Sequence, residues 1–513
     1  MPAPDFGPPR VSRVLGSVET DALEGIMRMG AFQAIQRRKR KPVRIYWEDP
    51  VAWLHDRVRF EQGEHPTIYQ EELMDALPRY HRVSGRGPHG LGKTAIGAWD
   101  LLWFVDTRDR AREDWKAITT AGSWGQLRNF FWPEVHKWAR RTKGLDWREG
   151  SELLQMSIKL GTGQAFSVAS NRPELIEGAH ADQLLYIYDE AKSIPGTTWD
   201  ATEGAFSGAG KDTGRDAFAW AGSTPGAPVG RFADIHHRKP GYEDWYARHV
   251  TLQEAIEAGR ISPDWVEQRG KQWGLNSAVY INRVMGEFAT DDAQTVIPLA
   301  WLEAANQRWL DLDGGYAPFT NVAVDVARYG EDKTVLALRF GDAISELRAA
   351  AKDETTVTTG KVKAVLDQHR GEAIVDVIGL GGGVVDQLRE QGYRVVAFNA
   401  SGSSAYRDRS GELGFVNRRS AAWWNLREMM DPSFEPTIAL PPDDMLIGDL
   451  TSPKWRVTSG ARIQVESKDD IRKRLQRSTD HGDAVVMAFA MPEPDDYEGT
   501  VWYDDPVDIA GGF

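Results

Sequence analysis

The sequence predicts an α/β protein in which two domains of strands and helices follow one another, each with acids at the ends of buried strands. Three observations lead to this prediction. A glycine-rich octapeptide at residues 87–94 lies between a predicted strand and a predicted helix. An apolar run from Leu184 ends in two acids, Asp189 and Glu190. In the second half, three lone carboxylates lie at the ends or centres of apolar segments: Asp325, Asp376 and Asp483.

The octapeptide Gly-Pro-His-Gly-Leu-Gly-Lys-Thr fits the phosphate-binding loop pattern GxxxxGKT (P-loop, or Walker A) in full. We expect a strand from Tyr80 to Ser84 before it and a helix from Thr94 to Phe104 after it. In such a loop the glycines turn backbone N–H groups toward a triphosphate, the lysine neutralises the β and γ phosphates, and the threonine holds Mg²⁺. The residues in these roles are Gly87, Gly90, Gly92, Lys93 and Thr94. A glycine turn without a ligand is the alternative, and the strand and helix beside it make that alternative weaker.

The run Leu184–Asp189 predicts the buried strand that accompanies such a loop (Walker B). Asp189 is expected to bind magnesium through water, and Glu190 to orient the water that attacks the γ phosphate. The same pattern also fits a core strand that ends in two solvated acids. Two weaker signals agree with an ATPase: Ser223 and Thr224 follow an apolar strand where they can sense the γ phosphate, and Gln70 lies where an amide can read adenine. Purely structural roles for these three residues remain open.

The second half begins with a strand at Phe319–Ala327, followed by a hairpin partner at Thr334–Phe340. Ala373–Asp376 reads as a further strand, and Asp483 lies in the first turn of an apolar helix. Buried carboxylates are costly unless cations offset their charge, and oxygen ligands select Mg²⁺ or Mn²⁺. Two such ions can cut a phosphodiester, and the order of the acids matches a ribonuclease H-like fold. Any one of these acids alone reads more simply as a cap or a surface residue.

An ATPase followed by such a nuclease resembles the large terminase subunit of tailed bacteriophages. The segments that carry the resemblance span about 46–491: Tyr46–Pro50, Tyr69–Gln70, the GLGKT loop, Gly178–Asp182 before the Asp189–Glu190 strand, Gly286–Phe288, Val324–Ala327 and Val465–Lys468 before Thr479–Asp480. The resemblance implies an ATP-driven motor that packages viral DNA and also cuts concatemers.

The resemblance also implies roles and partners. ATP with Mg²⁺ is expected at the first site and two Mg²⁺ or Mn²⁺ ions at the second, with Ser223 and Thr224 coupling hydrolysis to DNA movement. Double-stranded DNA, a portal protein and a small terminase subunit are the expected partners of a homo-pentamer, with a monomer possible in solution. Arg128 is the candidate for an arginine finger acting on a neighbouring subunit, with Arg140 and Arg141 behind it. Asp332 and Asp480 are expected to assist the metal-binding acids, and Lys468 and Lys473 to hold the scissile DNA backbone.

Composition sets limits on these expectations. The chain has 513 residues, no cysteine and a net charge of −13, so thiolate metal sites are excluded and a reducing compartment, the host cytoplasm, is expected. No apolar run approaches the length needed to span a membrane. Seven acids and no Lys or Arg lie in residues 492–513. DNA is therefore expected to contact local basic patches, with weak binding by a monomer and strong salt dependence.

We divide the chain into an entry segment (1–53), a P-loop ATPase domain (54–250), an α-rich connector (251–315), a ribonuclease H-like nuclease domain (316–491) and an acidic tail (492–513). Tryptophans at helical spacing, such as Trp99 and Trp103, are expected in the core. Two other functions stay open: an ATP-dependent DNA remodelling or defence nuclease outside any virus, and a non-catalytic assembly protein with relic acids.

Overall fold

The computed structural model describes residues 46–145, 147–170, 172–209, 214–327, 333–351 and 353–493. Three expectations fall elsewhere: residues 1–45 of the entry segment, the acidic tail from 494 onward and Asp332 lie outside the described residues. Within the described part of the chain, no helix is both long enough and apolar enough to cross a bilayer.

The strands are numbered in chain order. They are β1 (Arg82–Arg86), β2 (Trp115–Ala121), β3 (Leu153–Leu154), β4 (Ser157–Lys159), β5 (Gly163–Ser167), β6 (Gln183–Asp189), β7 (Asp216–Ser223), β8 (Tyr246–His249), β9 (Phe319–Asp325), β10 (Lys333–Phe340), β11 (Ala343–Ala351), β12 (Glu372–Asp376), β13 (Val395–Phe398), β14 (Gly414–Phe415), β15 (Trp455–Val457) and β16 (Arg462–Val465).

The α-helices are numbered in the same way. They are α1 (Pro50–Arg57), α2 (Ile68–Tyr80), α3 (Lys93–Ala111), α4 (Trp124–Gln126), α5 (Trp132–Arg141), α6 (Pro173–Glu177), α7 (Gly196–Ser207), α8 (Arg231–His236), α9 (Leu252–Glu257), α10 (Pro263–Trp273), α11 (Ala278–Tyr280), α12 (Leu299–Leu312), α13 (Thr355–Gln368), α14 (Gly381–Glu390), α15 (Arg418–Met430), α16 (Asp444–Thr451), α17 (Lys468–Leu475) and α18 (Asp480–Ala488). Short π-helical turns follow α4 at Leu127–Phe131 and α11 at Ile281–Met285.

The first sheet has the strand order β3-β4-β5-β2-β6-β7-β1-β8. Its strands from β5 to β8 are parallel, so their carboxyl ends meet at one edge. Strand β7 lies between β1, which leads into the glycine-rich loop, and β6, which ends in Asp189. The loop, the two acids and the end of β7 therefore share this edge, as an α/β nucleotide-binding sheet requires.

The second sheet has the order β11-β10-β9-β12-β13. Strands β9, β10 and β11 are antiparallel, whereas β12 and β13 run parallel to β9. This is the mixed sheet of a ribonuclease H-like fold, and helix α18 packs across β9 and β10. The predicted fold class is therefore confirmed. A small third sheet, β14-β16-β15, flanks it.

The sequence placed some boundaries wrongly. The strand predicted from Tyr80 starts at Arg82, because Tyr80 is the last residue of α2. That helix begins with a capping box between Thr67 and Gln70 and ends where His81 adopts a left-handed conformation (φ 62°). The expectation for Trp99 and Trp103 is confirmed, since their side chains are 2% and 0% exposed in the core around α3.

Candidate functional site

The loop between β1 and α3 has the backbone that its glycines permit. Gly90 and Gly92 both adopt left-handed conformations, with φ of 83° and 75°. A Cβ atom at Gly87 would lie 2.5 Å from the Val250 carbonyl oxygen, so a larger residue does not fit there. The three predicted glycines are therefore required by the path of the loop.

Lys93 begins α3 and turns its ammonium group back over the loop. Its Nζ donates hydrogen bonds to the carbonyl oxygens of Pro88 (2.8 Å) and Gly87 (3.3 Å). Burial lowers the pKa of Lys93 to about 8, against the opposing effect of Glu190 and Asp189. A phosphate in the loop would give this ammonium a better partner than two neutral carbonyls.

Asp189 ends β6 directly opposite the first turn of α3. The Thr94 hydroxyl donates a hydrogen bond to Asp189 Oδ1 (3.2 Å), and the Gln126 amide donates one to Oδ2 (2.9 Å). Burial, with Glu190 next to it, raises the pKa of Asp189 to about 6. The structure thus brings together the two predicted magnesium residues. Gln126 was missed, because nothing in its local sequence indicates that α4 returns to β6.

Glu190 follows Asp189 in a left-handed conformation (φ 48°), which is strained for a residue with a Cβ atom. Its Oε2 accepts a hydrogen bond from the Ser223 hydroxyl at 2.8 Å, across the end of β7. Thr224 is 1% exposed, and its hydroxyl has no hydrogen-bond partner among the described residues. Ser223 therefore contacts the predicted catalytic acid directly.

Adenine recognition requires a side-chain amide that is free to bind the base, and the amide of Gln70 is already hydrogen-bonded. Its side chain is fully buried, accepts a hydrogen bond from the Thr67 backbone (2.9 Å) and donates one to the Leu91 carbonyl of the loop (3.0 Å). It therefore fixes the loop to the start of α2. Its role toward adenine stays a prediction, since both ends of the amide are already engaged.

A cavity of about 820 Å³ opens beside the loop. Gly92 and Thr94 form its floor, and its walls include Phe60, Trp99 and Trp138. Aromatic walls next to a phosphate loop suit a purine base, which has large flat apolar faces. The sequence did not indicate this cavity, because its walls come from separate stretches of the chain.

Arg128 lies in the π-helical turn after α4, and its guanidinium forms an ion pair with Asp313 of the same chain (2.6 Å). Arg140 is paired with Glu149, and Arg141 with Glu61 and Glu64. An arginine finger must reach a neighbouring subunit, so Arg128 would have to leave Asp313. This assignment stays a prediction.

The segment that follows α11 packs against the phosphate loop. The His89 N–H donates a hydrogen bond to the Arg283 carbonyl (2.9 Å), and a Cβ at Gly286 would lie 2.5 Å from Pro88 Cδ. The Arg283 side chain contacts Asp444 (3.3 Å) at the start of α16. Arg283 therefore connects the phosphate loop to the second half of the chain.

The second candidate site lies at the ends of β9 and β12. Val324 of β9 and Val375 of β12 are the last residues paired between these adjacent parallel strands, and Asp325 and Asp376 come directly after them. Asp483 approaches from the first turn of α18. The side chains of Asp325, Asp376 and Asp483 are all buried. The structure thus brings the three predicted acids together, although 483 lies far from the other two in sequence.

Lys468, at the start of α17, joins two of these acids. Its Nζ lies 3.0 Å from Asp325 Oδ2 and 3.3 Å from Asp483 Oδ2. Burial raises the pKa of Asp325, with Lys468 opposing and the neighbouring acids adding to the rise. Burial alone would lower the pKa of Lys468, but Asp325 and Asp483 hold it above its ordinary value. The ammonium is therefore charged and compensates the cluster of acids.

Asp483 is oriented by three further side chains. It accepts hydrogen bonds from the Thr479 hydroxyl (2.7 Å) and the Trp423 indole (3.1 Å), and Arg419 lies 3.5 Å away. Burial would raise the pKa of Asp483, but Lys468 and Arg419 hold it below its ordinary value. Asp480 has a different contact: its carboxylate accepts a hydrogen bond from the Lys333 N–H (2.8 Å) at the start of β10.

The acids suit divalent cations by their donor type and charge. Buried carboxylate oxygens need a cation nearby, and Mg²⁺ and Mn²⁺ prefer such oxygen ligands. As the side chains stand, no three acid or histidine side chains among the described residues are placed to hold an ion. Lys468 fills the space between Asp325 and Asp483 instead. Metal binding therefore requires Lys468 to move off these acids.

Comparison with known proteins finds similarity to bacteriophage terminases over most of this chain. No family model matches the sequence. A curated relative from Enterobacteria phage P7, described as a probable terminase large subunit, is 24% identical over 453 residues, which cover 83% of this chain and 88% of the relative.

Solved structures with similarity include the large terminase of a thermophilic bacteriophage, which is 13% identical and covers 83% of this chain and 98% of its own, with a TM-score of 0.38. Another is the nuclease domain of the large terminase subunit of bacterial virus Sf6, which is 19% identical and covers 39% of this chain and 100% of its own, with a TM-score of 0.34. The sequence similarity covers 83% of this chain and confirms the resemblance that the motifs predicted: the chain is similar to the large terminase subunits of bacteriophages.

Proposed function

We propose that this chain is a terminase large subunit, an ATP-driven motor that packages viral double-stranded DNA and cuts it with a metal-dependent endonuclease. The observation that carries the proposal is the occurrence of two separate buried acid sites on one chain. One lies beside the phosphate loop, where Ser223 contacts Glu190, and the other lies where β9, β12 and α18 meet. The sequence relative is similar over 83% of this chain.

At the first site, ATP would lie with its phosphates in the loop and its base in the adjoining cavity. Lys93 would transfer its hydrogen bonds from the loop carbonyls to the β and γ phosphates. Mg²⁺, held by Thr94 and through water by Asp189, would neutralise charge on the phosphates. Glu190 would orient the attacking water, and Ser223 would hold the Glu190 carboxylate toward the γ phosphate.

At the second site, Asp325, Asp376 and Asp483 would hold two Mg²⁺ or Mn²⁺ ions. When bound, these ions activate a water and stabilise the leaving oxygen of the phosphodiester. Lys468 would then be released from Asp325 and Asp483, and its ammonium would be available to bind the scissile phosphate. Thr479 and Trp423 would keep Asp483 oriented during this exchange.

The assembly in this proposal is a homo-pentamer on a portal protein, supplied with DNA by a small terminase subunit in the host cytoplasm. Arg128 would serve the nucleotide of a neighbouring subunit after exchanging its partner Asp313. The domain limits stay as proposed above, with residues 251–315 as a connector. The ion pair between Arg283 of the proposed connector and Asp444 of the proposed nuclease domain supports packing of the two against each other.

Two assays on purified protein test the proposal: ATP hydrolysis with and without DNA, and plasmid cleavage with Mg²⁺ or Mn²⁺. Glu190→Ala should lower the ATPase rate by about 10² to 10⁴-fold and leave plasmid cleavage intact. Asp325→Ala should abolish cleavage and leave the ATPase intact. The matched controls, Glu177→Ala and Asp386→Ala, remove exposed acids on α6 and α14 and should change neither rate. A wild-type protein that cuts no DNA with either metal would refute the nuclease assignment.

A further inference from the structure

Arg260 lies in the short loop between α9 and α10, well away in sequence from the phosphate loop. Its Nη2 atom lies 2.5 Å from the position that a Cβ atom at Gly92 would occupy. The guanidinium group therefore packs directly on the phosphate loop. Arg260 also lines the 820 Å³ cavity, together with Gly92 and Thr94.

The backbone of this loop is fixed. The N–H groups of Arg260 and Ile261 both donate hydrogen bonds to the Ala255 carbonyl, at 2.9 and 3.3 Å, and Gly259 adopts the left-handed conformation that this turn requires. Ile261 is buried in the same core as Leu91 of the phosphate loop. The side chain of Arg260 thus starts from a backbone fixed by hydrogen bonds, and the residue as a whole is exposed.

Two nearby arginines, one in β8 and one in the connector, differ from Arg260. Arg248 forms ion pairs with Glu72 and Glu254, and Arg269 forms one with Asp444. The guanidinium groups of Arg248 and Arg269 therefore face acids. The guanidinium of Arg260 faces a phosphate loop and a cavity of nucleotide size, where a positive planar group pairs best with phosphate oxygens.

We propose that Arg260 is a nucleotide-binding residue that contacts the diphosphate of the bound nucleotide from the cavity side, opposite Lys93. This inference rests on the proposed function of the first site. Arg260 binds the ground state and leaves the attacking water to Glu190. Its loss therefore raises the KM for ATP and leaves kcat nearly unchanged.

The experiment is titration calorimetry of the full-length protein with Mg²⁺ and ADP, paired with steady-state ATP hydrolysis. Arg260→Ala should weaken ADP binding about 10- to 100-fold, the usual effect of losing a hydrogen bond between charged groups. It should raise the KM for ATP by a similar factor while kcat changes less than about threefold. Arg260→Lys should give an intermediate affinity, because the charge remains but the planar fork is lost.

Arg462→Ala is the control, since it removes an exposed arginine from β16 and should leave ADP affinity unchanged. Plasmid cleavage and thermal unfolding without nucleotide check the fold of Arg260→Ala, and a lower unfolding temperature would mean that Arg260 only supports the loop. ADP binding within twofold of wild type in Arg260→Ala, with binding lost in Lys93→Ala, would overturn the Arg260 assignment alone. If Lys93→Ala binds ADP as wild type does, or if wild type binds none, the ATPase proposal and the Arg260 proposal both fail.

Discussion

Asp449 is expected to set the position of the nuclease acid Asp483, although the two residues lie on different helices. It is fully buried on α16, and its Oδ2 accepts hydrogen bonds from the backbone N–H groups of His481 (2.9 Å) and Gly482 (3.1 Å). Its other oxygen forms an ion pair with Arg477. The first turn of α18 thus has its N–H groups satisfied by a carboxylate from another helix.

The cost of Asp449→Ala follows from these contacts. Removing one partner of a buried ion pair costs roughly 3–5 kcal/mol. The lower end applies, because Arg477 keeps hydrogen bonds to the carbonyls of Gln272 and Ser478. Loss of the helix cap adds about 1 kcal/mol. We expect a loss of about 4 kcal/mol in the free energy of unfolding of the nuclease part, which lowers its Tm by roughly 10 °C.

The assay is urea and thermal unfolding, combined with plasmid cleavage and ATP hydrolysis. Because α18 carries Asp483, a shift of its first turn by about 1 Å should slow cleavage about 100-fold, with little effect on the ATPase. Asp443→Ala is the matched control, since Asp443 only caps α16 through the Leu446 N–H (2.8 Å) and should cost about 1 kcal/mol. A free energy of unfolding within about 1 kcal/mol of wild type for Asp449→Ala would refute this reasoning.

Three further predictions follow from the two sites. Burial lowers the pKa of Lys93 to about 8 in the free site, and a bound phosphate would raise it, so ADP affinity measured by calorimetry should fall as pH rises above 8, by up to about tenfold per pH unit. Lys93→Arg should remove this pH dependence. Lys468→Met should tighten Mn²⁺ binding by about tenfold or more, because the ammonium no longer competes for Asp325, and it should also slow plasmid cleavage. Unchanged Mn²⁺ affinity would contradict the proposal that metal ions displace Lys468 from Asp325. Ser223→Ala should lower kcat for ATP hydrolysis about tenfold by releasing the Glu190 carboxylate, and a full rate would show that this contact is not needed.

Much of both sites was predictable, because the chemistry of each depends on short local patterns. The glycines of the phosphate loop, the strand ending in Asp189 and the acids at 325 and 376 are marked by residues beside them in the chain. The predicted start of β1 at Tyr80 was wrong by two residues, since Tyr80 ends α2 and the left-handed turn at His81 separates that helix from β1. Gln70 was predicted to read adenine, and only its contacts with Thr67 and Leu91 reveal that its amide is already engaged.

The sequence by itself determined the two chemistries, their order and the α/β class, because strand periodicity, glycine turns and single acids at strand ends are local properties. Only the tertiary structure decided which distant groups surround them. Gln126 on Asp189, Lys468 between Asp325 and Asp483, Arg260 on Gly92 and Asp449 under α18 all depend on how separate elements pack. No residue near them in sequence specifies these contacts, since burial and electrostatic compensation act between groups that become neighbours only when the chain folds.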